Sequence, residues 1–382
     1  MTHPSKSIVI AAYKRTPFTR AYKGELSKVR SDDFGAQLIR GLMDHTKIDP
    51  ETIEDLMVGC AFPEAEQGFN VARLMVFLAG LSKKTAGVTV NRFCGSSMTT
   101  IHQAAGNIAM GAGEAYICAG IESMSHVPMT GFNPMPNPAL MARMPEAYIG
   151  MGETAENLAK KYKIDRTAQD GFAAASHQKA AKAQKDGHFK DEIIPVKYNG
   201  SEIKEDGCIR ADTTLEGLST LEPAFDKNGT VTAGTSSPLT DGASAVLVCT
   251  EEYAQKNGLE PLARIRSIAV SGCLPEIMGI GPVSATKKAL ERAGLTIDDM
   301  DVIELNEAFA AQSLAVIEEL KIPLEKLNFD GGAIALGHPL GASGARITGK
   351  AAQLLQREKG KYALATMCIG GGQGIATVLE AL

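Results

Sequence analysis

The sequence predicts an α/β fold made of two similar layered halves about a pseudo-twofold axis, with a loop domain inserted in the first half. Three observations predict it. Short apolar runs alternate with stretches of helical spacing in the first and last thirds. The last third repeats the first in outline: Ile53–Phe62 (IEDLMVGCAF) stands beside Met300–Phe309 (MDVIELNEAF). In each half a Gly/Ser-rich turn and a helix follow, then a buried strand ending in glycine, at Cys118–Gly120 and Cys368–Gly372. Between about Ile121 and Thr240 this texture breaks, which marks the insertion.

Ile8–Ala12 is a first strand, and Arg15–Phe18 (RTPF) opens a loop after it. Asp33–Met43 has helical spacing and Leu56–Val58 is a second strand. Val88 and Val90 end a further buried strand, Gly95, Ser96 and Ser97 form a tight turn, and Met98, Ile101, Ala105 and Ile108 lie on one helical face. Ala115–Gly120 is the next buried strand. Met, Pro and Asn crowd residues 128–145, a loop with little regular structure, and polar helices such as Thr167–Lys185 follow. Core texture returns with strands at Gly242–Val248 and Ala263–Val270. A helix led by Pro282 and Ser284 runs to Ala293, Val302–Leu305 is a strand, and a helix spans about Glu307–Leu320. The expected units are therefore residues 1–121 with 241–262, the insertion 122–240, and 263–382.

The chain's 382 residues are long for one compact core, and a net charge of −5 with 22% charged residues gives no basic surface suited to nucleic acid. Seven cysteines form no CxxC pair and no dense framework, so reduced thiols in the cytoplasm are expected. Met1–Ser7 lacks the pattern of a signal peptide, and no stretch approaches a membrane span. Between Lys160 and Arg210, 11 Lys/Arg face 8 Asp/Glu. That surplus suits either a solvated helical surface or a site for an anionic tail.

Cys94 carries the first chemical signal. It sits at a strand end just before a helix, where unpaired N–H groups and the helix dipole favour a thiolate; the same position also suits a buried structural cysteine. Asn306–Phe309 (NEAF) places polar residues between a strand and a helix, and Asn306 alone reads as a helix cap. His338, between glycine turns in Gly331–Arg346, has little side-chain cover and is expected to be accessible. Cys368–Gly374 (CIGGGQG) sets a second cysteine at a strand end. None of the glycine runs has the spacing of a phosphate loop or a dinucleotide fingerprint.

Taken in order, Asn91–Met98 (NRFCGSSM), NEAF, Gly337–Pro339 (GHP) with Gly341–Arg346 (GASGAR), and CIGGGQG resemble the four signature stretches of the thiolases. The likeness covers essentially the whole chain. It reads closest to the 3-ketoacyl-CoA thiolases of fatty-acid β-oxidation through Glu122–Met129 and Glu276–Pro282. The resemblance implies a thiolase-type duplicated core and an acyltransferase that splits 3-oxoacyl-CoA with CoA. In it Cys94 would be the nucleophile, His338 its base and Cys368 the acid. His338 with a water held by Asn306 would form one oxyanion pocket, and the backbone N–H groups of Cys94 and Gly370 the other. Coenzyme A would be a substrate, running past Met151, Phe225, Ala233 and Ser237 with Arg210 near its nucleotide end, and the positive surplus would serve its phosphates. No metal or redox cofactor is expected.

The resemblance further implies a homodimer or homotetramer, with a hydratase/dehydrogenase subunit as a further partner in some relatives. Acetoacetyl-CoA thiolases usually carry a histidine just before Met151; Gly150 stands here, so a more open acyl pocket is expected. The biosynthetic acetoacetyl-CoA thiolase is the nearest alternative. A ketoacyl-carrier-protein synthase is disfavoured by the Cys368 stretch, and a non-catalytic acyl-CoA-binding subunit by the full set of reactive residues.

Overall fold

The computed structural model describes residues 7–382, so the leader reading of Met1–Ser7 lies almost wholly outside the described residues. The chain begins with β1 (Ile8–Arg15), β2 (Thr19–Arg20), α1 (Ser31–Thr46), β3 (Asp55–Gly59), α2 (Val71–Ala79), β4 (Ala86–Val90), α3 (Ser96–Ala109) and β5 (Ala115–Ser123). Through the insertion run α4 (Pro138–Arg143), α5 (Met151–Tyr162), α6 (Arg166–Asp186), β6 (Val196–Tyr198), β7 (Ser201–Ile203) and α7 (Leu215–Ser219). The core resumes with β8 (Thr240–Thr250), α8 (Glu251–Lys256), β9 (Ala263–Gly272), α9 (Gly281–Ala293), β10 (Val302–Leu305) and α10 (Ala310–Leu320). It ends with α11 (Ala333–Leu336), α12 (Leu340–Glu358), β11 (Tyr362–Ile369) and β12 (Gln373–Glu380).

Strand order β10-β11-β12-β9-β1-β8-β5-β3-β4 makes the duplication explicit. On one side β3 and β5 are parallel, and β5, β8 and β1 follow antiparallel. On the other, β10 and β11 are parallel, and β11, β12 and β9 follow antiparallel. The two series meet where Val9 and Ile10 of β1 pair with Arg264 and Ala263 of β9. Even the end strand has an echo, since β4 lies parallel to β3 while a single parallel bridge joins Ile303 to Leu327.

Three apolar clusters stack the layers. One packs α1 and α2 on an outer face of β1, β3, β5 and β8. Another packs α9 and α10 on the outer face of β9–β12. Between them α3 and α12 fill the middle, touching strands of both halves. A helix in that position is dry along most of its length, and 15 of the 19 residues of α12 are buried. Glycine permits the close approach: a Cβ at Gly344 would lie 2.3 Å from the Met98 amide nitrogen, and one at Gly120 would lie 2.1 Å from the Gly341 carbonyl oxygen.

The long excursion leaves the sheet at Ser123 and returns at Asp241, and these two residues are register partners. Four expectations change. Arg15 ends β1 and does not open a loop. Residues 138–143 form a helix, because Asn137 accepts the Leu140 N–H and Pro138 starts the turn. The NEAF helix begins at Ala310, since Phe309 is bridged to Ser236 and holds the chain extended. Val88 and Val90 lie in an edge strand that is half open to solvent, not buried.

Candidate active site

Cys94 sits in a strained turn between β4 and α3. The Gly95 and Ser96 N–H groups donate to the carbonyls of Arg92 and Phe93 at 3.0 and 3.1 Å, and Asn91 Oδ1 accepts the Phe93 N–H at 2.8 Å. Phe93 consequently holds a φ of +43°, a conformation costing on the order of 1–3 kcal/mol. A Cβ on Gly95 would stand 2.5 Å from Ile369 Cδ1, so the start of α3 is pressed against the end of β11. Two backbone donors, the N–H of Gly370 and that of Cys94 itself, face the Cys94 sulfur.

Those donors do not produce a resting thiolate. Burial outweighs them and pushes the Cys94 thiol up to about 12, which corrects the expectation drawn from the helix terminus. The helix N–H groups nearest the sulfur are already spent inside the turn.

The second half supplies Cys368 and Gly370 at the β11–β12 hairpin. Gly371 and Gly372 take φ of +77° and +80°, which glycine adopts without strain, and the tight reversal turns the Gly370 N–H toward Cys94. Cys368 is buried. Burial, and then the nearby Cys94 sulfur, holds its thiol well above the ordinary value.

His338 and Asn306 form the other pair. Asn306 Nδ2 stands 3.4 Å from His338 Nε2, Ser343 Oγ lies 2.5 Å from His338 Nδ1, and the His338 N–H donates to Thr240 Oγ1 at 3.0 Å. Only 5% of His338 is exposed, so the expected accessibility is wrong: Ser343 and Asn306 meet the two ring nitrogens and Thr240 holds the backbone N–H. Burial and the Arg346 guanidinium push the imidazole down to about 3. Asn306 Oδ1 is buried without a protein partner and is free to accept from a water.

Central packing links the two pairs. Leu340, two residues beyond His338, packs with Ala21, Ala61, Phe62 and Met124 against Cys94. The Ala345 N–H of α12 donates to Ser97 Oγ of α3 at 2.9 Å. Beneath them the Glu122 carboxylate accepts the N–H groups of Ala61 and Gly341, both at 2.8 Å, and the Gln67 side chain at 3.0 Å. Burial raises its pKa. No role for Glu122 was read from the sequence, although a lone carboxylate closing the apolar strand Ala115–Ile121 signals a buried acceptor that loops must satisfy. Ser343 and Thr240 were missed for a plainer reason: each is one hydroxyl among many.

The residues expected along CoA fall into two places. A Cβ on Gly370 would be 3.5 Å from Met151 Sδ, and the Phe225 ring rests over Gly152 and meets Phe309 edge-on at 5.9 Å. The Ser237 N–H donates to the Ala308 carbonyl at 3.0 Å, which straps the exposed Ala233 and its neighbours beside NEAF. Met151, Phe225 and Ser237 thus flank the Cys368 side of the centre. Arg210 lies apart on the surface, its N–H and guanidinium each 3.2 Å from ring nitrogens of His177. Part of the surrounding positive surplus is neutralised locally, by Arg166–Asp170, Lys182–Asp186 and Lys160–Asp226. Among the described residues no group of three or more His, Cys, Asp or Glu could hold a metal ion, and no helix is long and apolar enough to cross a membrane.

Comparison with known proteins agrees with this geometry. Residues 8–252 match the thiolase N-terminal domain and residues 259–381 the thiolase C-terminal domain. The chain is 50% identical to a 3-ketoacyl-CoA thiolase of Idiomarina loihiensis over 98% of its own length and 99% of that protein. It is 48% identical to a 3-ketoacyl-CoA thiolase of Bacillus subtilis, over 98% and 99%. The solved structure of human mitochondrial 3-ketoacyl-CoA thiolase in complex with CoA superposes with a TM-score of 0.91 at 39% identity, covering 100% of both chains. Two family models that together cover residues 8–381, with a backbone shared end to end with a solved member, place the chain in the thiolase family.

Proposed function

We propose that the protein cleaves 3-oxoacyl-CoA with CoA to acyl-CoA and acetyl-CoA, the thiolytic step of fatty-acid β-oxidation. One observation carries the reading: the Cys94 turn and the Cys368 hairpin, 274 residues apart in sequence, are packed together, so that a Cβ on Gly95 would stand 2.5 Å from Ile369 and one on Gly370 3.5 Å from Phe93.

The chemistry follows from the arrangement. Attack of the Cys94 sulfur on the 3-keto carbon builds charge on its oxygen, and the N–H groups of Cys94 and Gly370 are the donors to receive it. Burial favours the neutral thiol and the neutral imidazole, so the proton passes to His338 as the sulfur–carbon bond forms. Carbon–carbon cleavage releases the enolate of acetyl-CoA. His338 and a water held by Asn306 Oδ1 receive its oxygen, and the Cys368 thiol protonates its carbon. CoA then takes the acyl group from Cys94: its thiol proton goes to the Cys368 thiolate, its sulfur bonds to the acyl carbon as the Cys94 sulfur–carbon bond breaks, and the released Cys94 sulfur recovers its proton from His338. One well-placed donor contributes about 2.7–4 kcal/mol, so two oxyanion pockets supply much of the acceleration.

Gly150 leaves the space before Met151 open, since a Cβ there meets only the Glu153 carboxylate, at 3.6 Å or beyond. That favours chains longer than acetoacetyl. The working form is proposed as a cytoplasmic homodimer or homotetramer, with the exposed Phe132 and Met135 of the insertion available to a hydratase/dehydrogenase subunit. Incubation with a graded series of 3-oxoacyl-CoA substrates, followed by intact mass and peptide mapping, should show acyl adducts on Cys94 from C4 to C10 or longer. An adduct elsewhere, or turnover of C4 alone, would overturn the activity or its chain-length range respectively.

A further inference from the structure

Ser343 stands in the GASGAR stretch, yet the steps above do not use it. Its hydroxyl is buried, 2.5 Å from His338 Nδ1 and 3.0 Å from the Pro339 carbonyl. On the far side of the ring Asn306 Nδ2 lies 3.4 Å from Nε2. A hydroxyl has one hydrogen, and a neutral imidazole has one N–H and one lone pair. All three contacts are hydrogen bonds together in one arrangement only. Ser343 donates to Pro339, His338 Nδ1–H donates to Ser343, and Asn306 donates to the bare Nε2. With the proton on Nε2, that atom would meet the Asn306 amide donor to donor and the Pro339 carbonyl would lose the hydroxyl.

We propose that Ser343 is a positioning residue for the thiolytic reaction: by accepting from His338 Nδ1 it selects the tautomer whose Nε2 carries the lone pair, which takes the Cys94 proton as the long Asn306 contact gives way. The inference rests on the proposed activity for its consequence, though not for its geometry. As the Cys94 sulfur bonds to the 3-keto carbon its proton moves to Nε2, and the imidazolium so formed keeps its Nδ1–H on Ser343. A neutral acceptor suits this place. It fixes the ring without stabilising a charge on it, and Arg346, one turn along α12 and paired with Glu304 at 2.8 Å, keeps that charge short-lived.

Histidine-selective nitrogen-15 NMR of the whole protein without substrate tests the tautomer, the His338 signals being those lost in His338→Asn. The wild type should show a neutral ring protonated at Nδ1, and Ser343→Ala a mixture. In thiolysis Ser343→Ala should lower kcat/KM about tenfold to a hundredfold, and Ser343→Thr, which keeps the hydroxyl, by no more than about threefold. A wild-type ring protonated at Nε2, unchanged spectrum and kcat/KM in Ser343→Ala, or equal losses in both variants would overturn the proposal. Should Ser343→Ala fail to fold, the wild-type spectrum and Ser343→Thr still decide it. A wild type that thiolyses no 3-oxoacyl-CoA would sink the functional reading and leave the spectrum as the test of Ser343.

Discussion

At the scale of single residues Cys94 and His338 are each pushed toward the neutral form. Burial lifts the Cys94 thiol to about 12, and burial with Arg346 lowers His338 to about 3. Both shifts favour the neutral forms, so between pH 5 and 9 neither group titrates. Carbamidomethylation of Cys94 by iodoacetamide, followed by peptide mapping, should therefore rise about tenfold per pH unit from pH 6 to 9 without a plateau. The acid limb of kcat/KM should lie below pH 5, because His338 keeps its lone pair until the pH nears its lowered value. A plateau in alkylation beginning near pH 6 would show a thiolate–imidazolium pair instead. Residue types were legible here and their state was not. Cys94, His338, Asn306 and Cys368 announce themselves by their motifs, while the depth that sets their protonation comes from Thr240, Ser343 and Ile369, which no local pattern singles out.

Secondary elements were legible wherever a period was clean, as in α3 and β5, and least legible at margins fixed by partners distant in sequence. The strand before Cys94 shows why. Val88 and Val90 alternate as a buried strand would, yet β4 pairs only with β3 and its outer edge is free. Val88, Leu74 and Phe77 are exposed there, and Phe69 is 96% exposed. An open edge flanked by apolar side chains is an unstable surface for a lone chain, and antiparallel pairing of β4 with its symmetry mate would close it. Val88→Lys puts a charge on that surface and should convert the assembly to a 40.3 kDa monomer in analytical ultracentrifugation, whereas Met110→Lys, away from the edge, should not. A wild type that sediments as a monomer, or a Val88→Lys dimer as stable as the wild type, would sink the edge-pairing idea.

Across the whole molecule, the duplication was legible because both halves keep the same order of strand, turn and helix; what ties the insertion to the core was not. That tie is ionic and buried. Glu192 of the insertion takes Arg15 of β1 at 2.7 Å and Lys350 of α12 at 2.8 Å, and Arg15 also grips Asp206 at 2.6 Å. Lys350 then reaches Asp330 at 2.7 Å, which Arg357 also holds. From sequence Arg15 read as a loop residue and Glu192 as one charge in a mixed helical surface, because their partners are 177 and 158 residues away. Burial alone would raise the Glu192 carboxyl, but Lys350 and then Arg15 outweigh it and lower its pKa from 4.5. A lowered carboxylate stabilises the fold above its unfolded value and loses that contribution as pH falls through the folded one. Glu192→Gln leaves Arg15 and Lys350 short of a buried counter-charge and should cost about 3–5 kcal/mol at pH 7 in urea unfolding. Below pH 4.5 the difference from wild type should narrow, since the unfolded chain's carboxylate takes up a proton that the native one refuses until the pH reaches its lowered value. A loss under about 1 kcal/mol at pH 7, the size of a surface pair, or a gap that widens on acidification, would mean that the insertion is held by its apolar contacts and not by this network.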